Sequence, residues 1–164
     1  MRLRTHHLLV AVPLLLSACG SGLQNSTEIL GNRLQAQLGS QVQSGDVAIT
    51  RKPDGAAVTL LRPSPGAELS ERDQYLLASA IEGLIDPTLV QIQVTDTQPG
   101  PVGYEPPRVQ ATTAYFKSFA INATPLTAAP AGVPQGLTVD ITVHCPPSHS
   151  AWNWGYNAPY PTCW

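Results

Sequence analysis

Residues 69–96, LSERDQYLLASAIEGLIDPTLVQIQVTD, change period once, and that change limits the folds open to the chain. From Leu69 to Ile85 the side chains Leu77, Ala80, Ile81, Leu84 and Ile85 recur at helical spacing, with Ser70 placed as an N-cap and Asp73 three residues on. Asp86-Pro87 stops the helix, and Val90, Ile92 and Val94 then alternate with Leu89, Gln91 and Gln93 as in a half-buried strand. A helix with one apolar stripe, joined by a short link to a strand with one apolar face, buries both most simply when the helix lies on the strand's own sheet.

The segments on either side extend the pattern. GDVAITRKPDGAAVTLLRPSP reads as two strands around the turn Lys52-Pro53-Asp54-Gly55. After a proline- and glycine-rich loop from Pro99 to Pro107, a second helix is expected to start at Pro107, since proline suits the first helical position. Its inward stripe is Val109, Thr112, Phe116 and Phe119, and it ends near Ala120. GLTVDITVHC places Leu137, Val139, Ile141 and Val143 on one side of a last strand. Hairpin, helix, strand, helix and strand predict an α+β two-layer sandwich, a small β-sheet with two helices on one face. Upstream, Leu30, Leu34 and Leu38 sit at helical spacing on a polar background, which fits a short amphipathic helix or a tether over residues 19–44.

The first nineteen residues, MRLRTHHLLVAVPLLLSAC, join two arginines, an apolar run from Leu8 to Leu16 and small residues before a cysteine. The run falls short of the roughly 20 residues a helix needs to cross a bilayer, so residues 1–18 read as a secretory signal. LSAC resembles the bacterial lipobox, which implies cleavage before Cys19 and its lipidation; a plain signal peptide with a stray cysteine is the alternative. Several acyl chains hold a protein stably at a membrane. Gly20 and Ser21 follow in place of the aspartate that retains lipoproteins at the inner membrane, and the resemblance then implies the periplasmic face of the outer membrane.

Of three cysteines, a lipidated Cys19 leaves Cys145 and Cys163 as a pair in an oxidising compartment. A disulfide between them is expected to add roughly 3 kcal/mol on the chain-entropy model. A metal site from His144, Cys145, His149 and Cys163 is the rival, although the spacing matches no standard zinc pattern. No cofactor and no metal are expected.

Removing residues 1–18 from 164 leaves 146, enough for one domain with a true core. Charged residues make up 12%, about half the usual share, and without Arg2 and Arg4 seven basic side chains face eleven acidic ones. That balance offers nucleic acid no basic patch. Catalytic residues are not expected: a disulfide removes the thiol beside His144 and His149, and no nucleophile triad, carboxylate pair or phosphate-binding glycine loop has a recognisable context.

VAITRKPDGAAVTLL, AELSERDQYLLASAIEGLI, VQIQVTDT and RVQATTAYFKSFAI together resemble the C-terminal domain of the OmpA family over roughly residues 45–126. In that family a Thr-Asp at the end of the central strand and an arginine opening the next helix bind the diamino acid of the peptidoglycan stem peptide. The matching residues are Asp96 and Arg108. Such a zwitterion needs a carboxylate for its ammonium and a guanidinium for its carboxylate. Arg108 also stands where a helix dipole disfavours cations. The loop between the two departs from the family's, with Tyr104, Glu105, Pro106 and Pro107 before the arginine. The resemblance implies a domain at 45–144 in an outer-membrane-anchored, non-enzymatic periplasmic lipoprotein that associates with peptidoglycan.

The tail at 145–164, CPPSHSAWNWGYNAPYPTCW, holds five of the ten aromatic residues within its last thirteen positions. Trp152, Trp154, Tyr156 and Tyr160 can form a rigid platform for a glycan or a protein partner, or cover the disulfide and the sheet edge. The strand followed by Cys145-Pro146 and a later Trp, Asn and Cys carries a second, shorter resemblance, to the end of the CpaD lipoproteins of Tad pilus assembly. The alternative function is therefore an accessory or scaffold lipoprotein of an envelope secretion or pilus assembly machine, acting through protein contacts.

Overall fold

The computed structural model describes residues 21–65, 68–84, 86–97, 106–126 and 131–144, with side chains from residue 26 onward. Cys19, Cys145, His149, Trp152, Trp154, Tyr156, Tyr160 and Cys163 lie outside the described residues, and with them the signal peptide, the lipidation, the disulfide and the aromatic platform. Ile85 lies outside them too.

β1 (Val47–Lys52) and β2 (Gly55–Leu60) form the expected hairpin, in which Lys52 pairs with Gly55 across Pro53-Asp54. α2 (Glu71–Gly83) follows, and Ser70 caps it by accepting from the Asp73 N–H. A single 3-10 turn (Pro87–Leu89) leads into β3 (Val90–Asp96), then α3 (Pro107–Ser118), β4 (Ala123–Pro125) and β5 (Leu137–Val143).

The strand order is β1-β2-β5-β3-β4. β2 and β3 both run antiparallel to β5, so they are parallel to each other with one strand's width between them. β5, the last strand made, fills that gap. β4 pairs with β3 in parallel, which makes the sheet mixed. Both crossovers, through α2 and through α3, advance in the same direction across the sheet, and equal handedness then puts both helices on one face. The Tyr115 hydroxyl donates to the Gln74 carbonyl at 3.2 Å, tying α3 to α2.

The registers place Val47, Val58, Leu60, Leu137, Val139, Ile141, Ile92 and Val94 together under the helices, and all are buried. β5 begins after Gly136, whose φ of +148° suits glycine. A Cβ there would lie 2.1 Å from the Leu60 carbonyl oxygen. Gly136 also exchanges hydrogen bonds with Thr97, its N–H donating to Oγ1 at 2.6 Å and its carbonyl accepting from the Thr97 N–H at 3.1 Å. The two bonds fix the start of β5 against the end of β3.

Three helices, rather than the two expected, lie on the sheet. Of the two readings left open upstream, the structure has a helix: α1 (Ser21–Gln43) runs for 23 residues and packs on α2 and β1. Leu30, Leu34 and Leu38 are at most 1% exposed and belong to the single core cluster, which explains why a helix forms on so polar a background. Gly83 at the end of α2 makes room for Leu34, since a Cβ at Gly83 would stand 2.7 Å from Leu34 Cδ2.

Phe119 is also corrected. It is the C-cap of α3 and 51% exposed, because the chain leaves the helix there and turns through Ala120 at φ +59°. Ile121, 2% exposed, fills the inward place instead.

Leu34→Ala should lower stability by about 2–5 kcal/mol, the usual cost of deleting a fully buried leucine side chain. Urea unfolding measures it, and an unchanged midpoint would mean that α1 contributes nothing to the core.

Candidate functional site

β3 ends at Asp96 and α3 begins at Pro107, so the fold brings two residues twelve positions apart to the same edge of the helix layer. Asp96 pairs with Leu137 in the ladder, which puts its side chain on the helix-covered face with Val94 and Ile92. Arg108 lies in the first turn of α3 and is held there by Pro107 at N1. The Thr112 hydroxyl donates to its carbonyl at 2.8 Å, and Val109 packs behind it in the core.

The two side chains meet. Arg108 Nε donates to Asp96 Oδ2 at 2.9 Å, and Nη2 donates to the same oxygen. Nη1 turns the other way and donates to the Ser64 carbonyl at 2.7 Å. Side-chain exposure is 5% for Arg108 and 1% for Asp96, so the pair is withdrawn from water. A buried pair of this kind gains Coulomb energy against a large desolvation cost, and removing one partner strands the other's charge.

The N-cap of α3 is Pro106, no side chain caps the helix, and its first turn has no acidic residue. The helix start offers an anion few backbone donors, since Pro107 has no N–H and the Val109 N–H donates to the Pro106 carbonyl at 2.9 Å. The charge of the site therefore comes from its side chains: the guanidinium attracts a carboxylate and repels an ammonium, while Asp96 opposite does the reverse. Side by side, the two halves suit a ligand bearing both charges.

Other residues singled out in the sequence lie elsewhere. The His144 ring is exposed and hydrogen-bonds Gln91 Oε1 at 3.0 Å, with its backbone N–H on the Leu89 carbonyl. Among the described residues no group of three or more His, Cys, Asp or Glu can hold a metal ion. Nor is any described helix long and apolar enough to cross a membrane. Two partly exposed carboxyls are held below their ordinary pKa: Asp46 by the Ser44 hydroxyl, ahead of Arg72, and Asp86 by the hydroxyl and N–H of Thr88.

The sequence did not point to Ser64, which enters the site through a backbone carbonyl that any residue supplies. Asp73 was legible only as a capping residue. It is 0% exposed, and its Oδ2 accepts from the Ser64 N–H at 3.0 Å.

No protein-family model matches the chain, and a search of the curated proteins finds no match. Among solved structures, a putative MotB-like protein from Desulfovibrio vulgaris is similar at a TM-score of 0.54 and 14% identity, over 76% of this chain and 99% of that one. The cell wall anchor of the T6SS from Pseudomonas aeruginosa matches at a TM-score of 0.48 and 16% identity, over 70% and 99%. The OmpA-like domain of FopA1 from Francisella tularensis matches at 0.37 and 14%, over 60% and 79%. At these identities the likeness is one of fold, and the fold is the OmpA-like one that the motifs around β3 and α3 resembled.

Arg108→Ala should destabilise the protein by about 3–5 kcal/mol, because it takes the guanidinium away from a buried carboxylate. Adding Asp96→Ala should return part of that loss, and urea midpoints of the four members of the cycle give the coupling.

Proposed function

We propose that this chain is a cell-envelope binding module that associates with peptidoglycan, Asp96 and Arg108 receiving the zwitterionic diamino acid of the stem peptide. The observation that carries the reading is the pairing itself. Two oppositely charged side chains converge at an uncapped helix start, one of them a cation where the helix dipole disfavours it.

Binding on this reading is an exchange of ion pairs. The ligand's ammonium takes the place of the guanidinium at Asp96, and its carboxylate accepts from the Arg108 fork that Asp96 has released. One internal pair becomes two intermolecular ones; the net charge of the site is unchanged, while the ligand's two charges also leave water. Arginine suits the task better than lysine, since its planar fork grips a carboxylate with two parallel hydrogen bonds. The chain's acidic balance argues against nucleic acid as a partner. Cys19 supplies the lipid anchor, which places the domain at the periplasmic face of the outer membrane, within reach of the wall.

A second reading rests on a different observation. Arg108 and Asp96 are buried against each other and against Ser64, an arrangement that also serves as a structural tie between β3, α3 and the segment before α2. In that case the domain keeps the fold as a scaffold for an envelope secretion or pilus machine and works through protein contacts, the aromatic tail with Trp152, Trp154, Tyr156 and Tyr160 being the place to look for them.

Retention of the full chain, purified in detergent, on peptidoglycan sacculi separates the two. The stem-peptide reading expects retention by the natural protein and its loss in Asp96→Asn and Arg108→Lys, variants that keep the size of the side chains. Absence of retention by the natural protein would remove it in favour of the scaffold.

A further inference from the structure

The orientation of Arg108 depends on a residue 44 positions away. Ser64, in the segment between β2 and α2, receives the Arg108 Nη1 donor on its carbonyl and is itself held at two further atoms. Its N–H donates to Asp73 Oδ2 at 3.0 Å, and its hydroxyl donates to Ser70 Oγ at 2.6 Å. Ser70 Oγ in turn accepts from the Asp73 N–H at 3.1 Å. Arg108, Ser64, Ser70 and Asp73 thus form one hydrogen-bonded network between the starts of α2 and α3.

Asp73 is an uncomfortable residue in that network. In a capping box the acidic side chain at the third helical position reaches back to the N–H of the capping residue. Here the carboxylate goes to Ser64 instead, the side chain is 0% exposed, and Oδ1 is buried with no hydrogen-bond partner among the described residues. An unpaired buried oxygen costs stability, and such an atom calls for an explanation other than packing. The explanation on offer is what the other oxygen holds in place.

We propose that Asp73 is a positioning residue for Arg108. By holding the N–H of Ser64 it fixes the residue whose carbonyl takes Nη1, and this leaves the Nε and Nη2 edge of the guanidinium facing Asp96. Without it the Ser64 backbone is less constrained, its carbonyl is no longer set against Nη1, and the guanidinium settles differently against Asp96. The consequence for ligand binding rests on the reading of Asp96 and Arg108 as the stem-peptide site, whereas the consequence for the guanidinium does not.

The test follows the Nε–H resonance of Arg108 in the nitrogen-labelled full chain, assigned by its disappearance in Arg108→Lys, together with retention on sacculi. Asp73→Ala should displace or broaden the resonance and lower retention several-fold. Asp73→Asn, which keeps an acceptor for the Ser64 N–H, should restore both. Should Asp73→Ala fail to fold, Ser64→Pro removes the N–H that Asp73 holds while leaving the Ser70 cap and the carbonyl of residue 64, and it should broaden the resonance alike. An unmoved resonance in folded Asp73→Ala or in Ser64→Pro overturns the proposal. A displaced resonance in a protein that never binds sacculi supports the positioning role and overturns the ligand reading.

Discussion

A guanidinium brings a full positive charge and five donors out of water, and the protein has to answer both. At Arg108 the answer comes from the carboxylate of Asp96 at the end of β3 and the carbonyl of Ser64 before α2, while the start of α3 on which the arginine stands opposes its charge. These residues lie where the chain passes from β2 to α2 and from β3 to α3. The pair therefore joins the layers by charge where the leucine-rich core joins them by burial.

The position of the Asp96 carboxylate is set in part by β5. β2 and β3 lie one strand apart, and until β5 enters, the inner edges of both lack partners. Its insertion sets the end of β3, through Asp96 against Leu137 and through the Thr97 and Gly136 hydrogen bonds, and so aims the carboxylate. A contact made late in the chain thus determines a geometry encoded early in it, as is usual where sheets are built from distant segments.

Much of the fold was legible because it rests on period. The hairpin, α2, β3 and β5 each announce themselves by alternation or by an i, i+3, i+4 stripe, and most of their apolar residues are buried, Ile49 and Ile81 only in part. α1 was ambiguous since its three leucines occupy one narrow stripe, and what secures it is tertiary contact with α2 and β1. β4 gave no signal: three residues ending in proline become a strand only because β3 offers them a parallel edge. Phe119 misled for a related reason, its spacing fitting a helix that had already ended. For the site, Asp96 and Arg108 were reachable by resemblance but not by spacing, since twelve positions of loop and strand end have no period. Ser64 was out of reach, because a backbone carbonyl leaves no trace in the sequence.

The central claim is that the Asp96 and Arg108 pair opens to a zwitterion. Titrating the full chain with a soluble stem peptide that ends in the diamino acid, and following the Arg108 Nε–H resonance, tests it most directly. The account predicts a saturable displacement of that resonance, absent with a peptide whose diamino acid is replaced by alanine. A resonance that stays in place up to millimolar peptide would contradict the account and leave the pair as a structural tie.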